Sequence, residues 1–304
     1  MSTATEAADA RVGAPVEISE PTSAKFVRFL AKTPVYLVLA LIGLFWLVPT
    51  VSLFFTSLLQ PSAIGTTGWW EILSSPSLAT LDNYREILDN DAITSAIWTT
   101  LWISLGATFL PIAVASLAAF AFAWLEFPGR DWLFVVVVAL LVVPIQMALI
   151  PIFALYNDLG LFDTIPGLVL FHTAFGLPFA IFLLRNFFIG IPRDLLEAAR
   201  IDGASEFRIF FKVILPLGLP AIASLAIFQF LWVWNDLLVA YVFLGGTQDT
   251  RVVTLALNSL VGSHGENWQL LTAAAFITMA LPLVVFFSLQ RYFVRGLTAG
   301  SVKG

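Results

Sequence analysis

Six long apolar runs constrain this chain more than any other feature of its sequence. The hydrocarbon core of a bilayer is about 30 Å thick, so a helix needs about 20 mostly apolar residues to cross it. The runs are continuous and do not alternate with a period of two, so the sequence predicts helices and not barrel strands. The predicted spans cover approximately residues 35–58, 96–125, 132–156, 166–184, 217–244 and 270–289.

The composition favours a surface that faces lipid. Only 12% of the residues are charged and 59% are hydrophobic, with 28 phenylalanines. Soluble domains carry about 25% charged residues, which is what they need to cover a surface in water. The fold class that follows is an all-α integral membrane protein with lipid as a permanent partner.

The first residues have a different composition. Residues 1–24 are rich in Ala, Glu, Ser and Thr and contain almost no large apolar side chain. Such a segment cannot bury enough surface to offset the entropy of ordering, so we expect a disordered tail. The transmembrane domain is expected to occupy residues 25–304.

Lysine and arginine are distributed unevenly between the two sides that six spans define. One side carries 13 of the 15 and the other carries only Arg85 and Arg251. The positive-inside rule makes the richer side cytoplasmic, which places both termini in the cytoplasm. An even number of spans also requires both termini to lie on the same side of the membrane. The richer side has Arg11, Lys25, Arg28, Lys32, Arg130, Arg185, Arg193, Arg200, Arg208, Lys212, Arg291, Arg295 and Lys303.

Several functions lack the residues that they would need. The chain has no cysteine and no G-x-x-x-x-G-K-[ST] sequence, so thiol chemistry and a P-loop for ATP are excluded. His172 and His264 are far apart in the chain with no ligand spacing around them, so we expect neither a metal site nor a catalytic group. No basic block with interleaved aromatic residues suggests binding of nucleic acid.

The loop of residues 190–216 is the most informative segment. Pro192 suits the first turn of a helix, and Gly203 stands where that helix would end in a left-handed residue. A second helix can begin near Ser205. Its apolar residues recur at helical spacing and predict one amphipathic stripe along the inner membrane surface. The stripe consists of Phe207, Phe210, Phe211 and Ile214.

Two interpretations of this loop remain open from the residues alone. It is either an interfacial linker held by its phenylalanines or a docking element for another protein. Ala198 and Ala199 leave a surface that a partner can approach closely, and Glu197 and Asp202 supply charges beside it.

A candidate sugar path lies in the fifth predicted span. Gln229, Trp232 and Asp236 fall at positions i, i+3 and i+7 and share one helix face, with Asn235 beside it. An aromatic ring can stack on the C–H face of a sugar while amides and carboxylates pair with its hydroxyls. An ionisable group inside a span usually faces the bundle interior or a wet cavity. The alternative is that Asp236 lies at a solvated helix end.

The loop and its surroundings resemble the permease subunits of bacterial ATP-binding-cassette importers. Glu197-Ala198-Ala199, Asp202-Gly203-Ala204 and Leu215-Pro216 are similar to the EAA signature of that family. Further strings resemble its carbohydrate-uptake branch and the second permease of maltose-type systems. They are Asp82-Asn83-Tyr84, Phe127-Pro128-Gly129-Arg130, Ile191-Pro192 and the stretch from Gly296 to Gly304.

The resemblance implies a division of labour. A member of this family pairs with a homologous second permease, two ATPase subunits and an extracytoplasmic sugar-binding protein, and the ATPases hold the ATP and Mg²⁺. The residues from Glu197 to Ala204 would form the coupling helix, and the tail of residues 292–304 would reach the ATPases. The tail residues concerned are Gly296, Leu297, Thr298 and Lys303.

The same resemblance indicates the cargo, and other cargoes and other functions are the alternatives. We expect alternating-access import of an oligosaccharide or an α-glucoside, such as trehalose or maltose, across a bacterial cell membrane. A polyol or a glycerol phosphoester is the alternative cargo, although no arginine is visible along the path. A stand-alone secondary transporter would need further intramembrane charges and an internal inverted repeat, and a scaffold would leave the structured loop unexplained.

Overall fold

The computed structural model describes residues 22–244, 251–260 and 267–299. The chain divides into two compact units, Met1–Leu53 and Phe54–Gly304. The expected disorder of residues 1–24 falls almost wholly outside the described residues. In the first unit a single helix exposes large apolar side chains such as Phe45 and Trp46.

Helices account for most of the described chain, which contains no β-strand in these ranges. Proline lies within several of the long helices, as is common in helices that cross membranes. The helices are α1 Thr22–Ser57, α2 Asp82–Leu88, α3 Asp91–Trp124, α4 Arg130–Ala139, α5 Ile145–Asp158, α6 Ile165–Ile189, α7 Arg193–Ile201, α8 Glu206–Ile209, α9 Leu215–Trp234, α10 Leu238–Phe243, α11 Val253–Leu260 and α12 Trp268–Ala299.

Five helical segments of the described chain are long and apolar enough to cross a membrane, and a bent pair of helices is a sixth candidate. Four of the expected spans are confirmed as such segments with shifted ends. The five segments are Thr33–Ser57, Asp91–Trp124, Ile165–Ile189, Glu206–Trp234 and Trp268–Tyr292.

Two of the predicted spans were wrong in detail. The third, residues 132–156, is not one helix, because its two halves meet at 98° around Val143 and Pro144. Pro144 has no N–H to continue the helix, and it disfavours helical geometry in the residue before it. The fifth begins at Glu206, before the predicted residue 217, and its helix ends at Trp234, before residue 244.

Three helices form the centre of the second unit. α3 packs on α6 and α9, and α9 packs on α12. Ala107, Ala115 and Ala119 of α3 are fully buried. Small side chains of this kind let helix backbones approach closely in a membrane protein, where lipid gives no hydrophobic drive to association. Buried aromatic residues such as Phe171 and Phe188 fill the remaining space.

A polar clamp fixes the segment between α1 and α3. The buried amide of Asn83 donates to the carbonyl oxygens of Ser57 and Leu59, at 2.9 and 2.8 Å. The Tyr84 hydroxyl lies 2.7 Å from Oγ of Ser57. The Asp82-Asn83-Tyr84 string thus contributes two side chains that hold α2 against the end of α1 within the second unit.

Candidate functional site

The first candidate site is the short helix α7 and the turn that follows it. The helix runs from Arg193 to Ile201, and Gly203 has a φ of +78°. A left-handed residue after a helix is the expected position for glycine, which pays no Cβ penalty there. The N–H of Gly203 donates to the carbonyl of Arg200, and that of Ala204 donates to Ala199. The predicted helix and its end at Gly203 are confirmed.

One side of α7 anchors it to the bundle. Leu196 is fully buried in the cluster that also contains Ile209 and Ile214. Ala199 and Ala204 are partly buried and pack against the same cluster. These two predicted site residues therefore face the protein interior, and their small size serves packing.

The opposite side of α7 is uncovered. Asp194, Glu197, Ala198 and Ile201 recur at i, i+3, i+4 and i+7 and are all exposed, Ile201 at 86%. Asp202 is exposed at the end of the helix. An apolar side chain flanked by carboxylates at this spacing is typical of a helix that fits into a partner's groove. Sequence reasoning missed Ile201 because it read that residue only as the end of the helix.

Ion pairs organise the charges around this helix. Nε of Arg193 lies 2.8 Å from Oε1 of Glu197, which places that predicted residue in an i, i+4 pair. The Arg200 guanidinium donates to both carboxylate oxygens of Glu206 across the Gly203 turn, at 2.9 and 3.2 Å. Hydrogen bonding to Glu206 raises the pKa of Arg200 above its ordinary value, so this guanidinium stays charged.

The loop continues directly into a long helix. The Ser205 hydroxyl accepts the N–H of Arg208 and caps α8, which begins where the second helix was expected. A π turn, Phe210–Ile214, then joins α8 to α9 without interruption. Residues Glu206–Trp234 therefore form one rod, and the segment does not end as a separate interfacial helix.

The predicted amphipathic stripe was only half right. Phe210 and Ile214 are buried, but Phe207 and Phe211 are 72% and 54% exposed. Ile209, outside the predicted stripe, is fully buried in their place. A π turn holds more residues per turn than an α-helix, so the buried positions no longer follow a period of 3.6.

The predicted tail residues are only partly described. Gly296, Leu297 and Thr298 lie in the last turns of α12, which extends to Ala299. Lys303 lies outside the described residues.

The second candidate site lies near the end of α9. Gln229 is buried, and its amide donates to the carbonyl oxygens of Ala107 and His172, at 3.0 and 3.4 Å. Gly176 leaves room beside it, since a Cβ there would lie 2.7 Å from the Gln229 amide nitrogen and would displace that amide. Gln229 therefore joins α3, α6 and α9 and is not presented to a solute.

The remaining path residues surround the break after Trp234. Trp232 is 38% exposed, and Asn235 is exposed with its amide donating to Leu231. The carboxylate of Asp236 is 10% exposed and accepts the N–H groups of Val239 and Ala240, at 3.3 and 3.0 Å. Asp236 is thus neither a residue of the α9 helix nor a solvated helix end. It caps α10.

His172 completes this group, and sequence reasoning did not connect it to Asp236. Its Nε2 lies 3.6 Å from Oδ2 of Asp236, and its ring lies edge-on to that of Trp232 with centroids 5.0 Å apart. The chain separation of 64 residues gives no local signal for the pairing. Among the described residues no group of three His, Asp or Glu side chains could hold a metal ion.

Comparisons with known proteins show which family the chain resembles. The chain is 52% identical to the osmoprotective compounds uptake permease protein GgtD of Synechocystis over 91% of its length and 94% of the relative's. It is 56% identical to the alpha-glucoside transport system permease protein AglG of Rhizobium meliloti, over 76% of this chain and 62% of that one. Identity to the trehalose transport system permease protein SugB of Mycobacterium tuberculosis is 39%, over 75% and 84%.

A solved structure shares the fold. A chain of a bacterial ABC transporter that imports the acidic polysaccharide alginate superposes with a TM-score of 0.74 at 20% identity, covering 90% of this chain and 99% of that one. The family model for binding-protein-dependent transport system inner membrane components matches residues 112–299. This chain belongs to that family and is a permease subunit of an ABC importer for carbohydrates.

Proposed function

We propose that this chain is one of two homologous permeases in an ATP-driven importer of small α-glucosides. It pairs with two ATPase subunits and receives its cargo from an external binding protein. ATP and Mg²⁺ are bound by the ATPases, and the chain itself performs no chemistry. The arginine-rich end of the bundle, which includes Arg130, Arg193 and Arg200, lies in the cytoplasm because that side carries most of the basic residues.

The uncovered face of α7 is the observation that carries the coupling part of this proposal. Leu196 fixes the helix to the bundle, and Ile201 projects from the other side at 86% exposure. An ATPase groove would cover Ile201 and Ala198, with Asp194, Glu197 and Asp202 at its rim. The last turns of α12, with Gly296, Leu297 and Thr298, and Lys303 beyond them would add a second contact.

The connection from this ATPase contact to the membrane-spanning helices is short and rigid. Leu196 and Ile209 share one buried cluster, and Arg200 pairs with Glu206 across the Gly203 turn, so we expect α7 and α8 to move together. From Glu206 the rod of α8, the π turn and α9 extends to Trp234. Movement of α7 by ATPase closure would therefore displace the region of Trp232, which is what alternating access requires.

Trp232 and Asn235 are the side chains that we assign to the sugar path. Both are exposed at the end of α9, one as a flat aromatic surface and the other as an amide. Gln229 and Asp236 lie near them in the chain, and their side chains bond to backbone groups of α3 and α10.

The relatives narrow the cargo. Their names refer to osmoprotective compounds, alpha-glucosides and trehalose. A small, non-reducing α-glucoside such as trehalose or sucrose is both an alpha-glucoside and an osmoprotective compound. The exposed groups of the path are uncharged, which suits a neutral sugar better than a glycerol phosphoester.

Reconstitution tests the proposal directly. The permease pair, ATPases and binding protein are placed in liposomes, and uptake of radiolabelled trehalose, sucrose and maltose is measured with ATP. We expect uptake of at least one sugar and a matching rise in ATP hydrolysis, with excess glycerol 3-phosphate failing to compete. Uptake of glycerol 3-phosphate or of a simple polyol in place of all three sugars would refute the cargo assignment.

A further inference from the structure

The side chain of His172 is buried where α6 meets the end of α9. Only 1% of it is exposed, and neither ring nitrogen has a hydrogen bond among the described residues. The nearest charged group given by the structure is the carboxylate of Asp236, 3.6 Å from Nε2. Buried polar atoms are usually hydrogen-bonded, so an imidazole without full partners needs an explanation.

Asp236 offers the imidazole a fixed reference point. Its carboxylate is held by the N–H groups of Val239 and Ala240, and its carbonyl oxygen accepts the Thr254 hydroxyl at 2.7 Å. Three attachments on α10 and α11 therefore immobilise the group that His172 approaches. The ring of His172 lies close both to this carboxylate and to Trp232.

Trp232 is the exposed member of the group. Its indole meets the His172 ring at an interplanar angle of 88°, with centroids 5.0 Å apart. Edge-to-face contact of this kind is a favoured geometry for aromatic rings. Because 38% of Trp232 stays exposed, the contact with His172 leaves part of the indole available to a solute.

We propose that His172 is a positioning residue for the sugar path, which orients the Trp232 indole and is itself oriented by Asp236. This inference rests on the proposed function, since it assumes that Trp232 stacks against the sugar. His172 does not touch the sugar. An indole that moved freely would bind the sugar more weakly, because its conformational entropy would be lost each time a sugar stacked on it.

The test is a double-mutant cycle in the reconstituted importer, with trehalose-loaded binding protein at saturation. The measured quantity is sugar moved per ATP hydrolysed, since this ratio reports passage through the path. We expect His172→Leu and Trp232→Ala each to lower it by about tenfold, a size typical of coupling between contacting residues. His172→Gln, which keeps a polar group facing Asp236, should lie between wild type and His172→Leu.

The decisive variant combines both changes. If His172 acts through Trp232, adding His172→Leu to Trp232→Ala causes no further loss. Thr173→Val is the matched control, because Thr173 is buried on the same helix and its hydroxyl bonds only to Val169 among the described residues. That variant should keep the wild-type ratio.

Two results would overturn the inference. One is an unchanged ratio in His172→Leu, and the other is an equal fold-loss from His172→Leu in the wild-type and Trp232→Ala backgrounds. Wild-type uptake of trehalose establishes the proposed function separately, so a failure confined to the His172 variants concerns this inference alone. Gel filtration of the assembled complex and ATP hydrolysis stimulated by the binding protein show that each variant is folded.

Discussion

Replacing Ile201 by alanine tests the apolar part of the uncovered face of α7, which is the proposed docking face for the ATPase. The change removes three carbon groups from a side chain that is 86% exposed in this chain. Burial of each group stabilises a complex by about 0.8 kcal/mol, so a groove that covers the exposed part loses about 2 kcal/mol. A tenfold change in affinity corresponds to about 1.4 kcal/mol, which gives an expected weakening of about 30-fold.

The assay is a titration of the permease complex, held in nanodiscs, with the purified ATPase partner. Folding should not be affected, because exposed substitutions usually change stability by less than about 0.5 kcal/mol. Leu81→Ala is a matched control, since Leu81 is 60% exposed but lies in the loop before α2. A dissociation constant for Ile201→Ala within about twofold of wild type would refute the docking face. An equal loss in Leu81→Ala would refute it as well.

Further substitutions separate the parts of the coupling element and the path. Gly203→Pro should leave the chain in the membrane but uncouple ATP hydrolysis from uptake. The reason is that proline requires a φ near −65°, whereas Gly203 has a φ of +78°. Normal uptake by this variant would contradict the proposed role of the turn. Glu197→Lys replaces the pair with Arg193 by a repulsion and should weaken ATPase binding in a pull-down, where Glu197→Gln should show a smaller effect. Asp236→Ala removes the acceptor for two N–H groups of α10, so both the melting temperature and trehalose uptake should fall. Unaltered uptake in that variant would remove Asp236 from the site.

Local signals in the sequence predicted local structure well. Gly203 was identified as a helix end and the region of Ser205 as a helix start, because both roles depend on residues within one turn of the chain. The apolar runs likewise predicted most of the membrane-spanning helices, since hydropathy is summed over about 20 residues and tolerates local error.

Features that depend on distant residues or on a change of helix type were not predictable in this way. The residues around the 98° bend between α4 and α5 are as apolar as the rest of the run, so hydropathy does not reveal the bend. Pro144 indicates a possible break but not its angle. The contact of His172 with Asp236 joins two helices that the sequence cannot place side by side. The exposure of Phe207 was missed because helical periodicity assumes a regular helix, and a π turn follows that residue.

The π turn has a consequence for the length of the chain between Gly203 and α9. An α-helix rotates by about 100° per residue, so one extra residue in a regular helix would turn everything before it by about that angle, whereas a π turn such as Phe210–Ile214 takes up an extra residue within one wider turn. Ile201 therefore keeps its outward position although the chain holds one residue more than a regular helix would. Relatives that share this coupling arrangement should therefore accept the deletion of one residue within the turn more readily than a deletion elsewhere between Glu206 and Trp234.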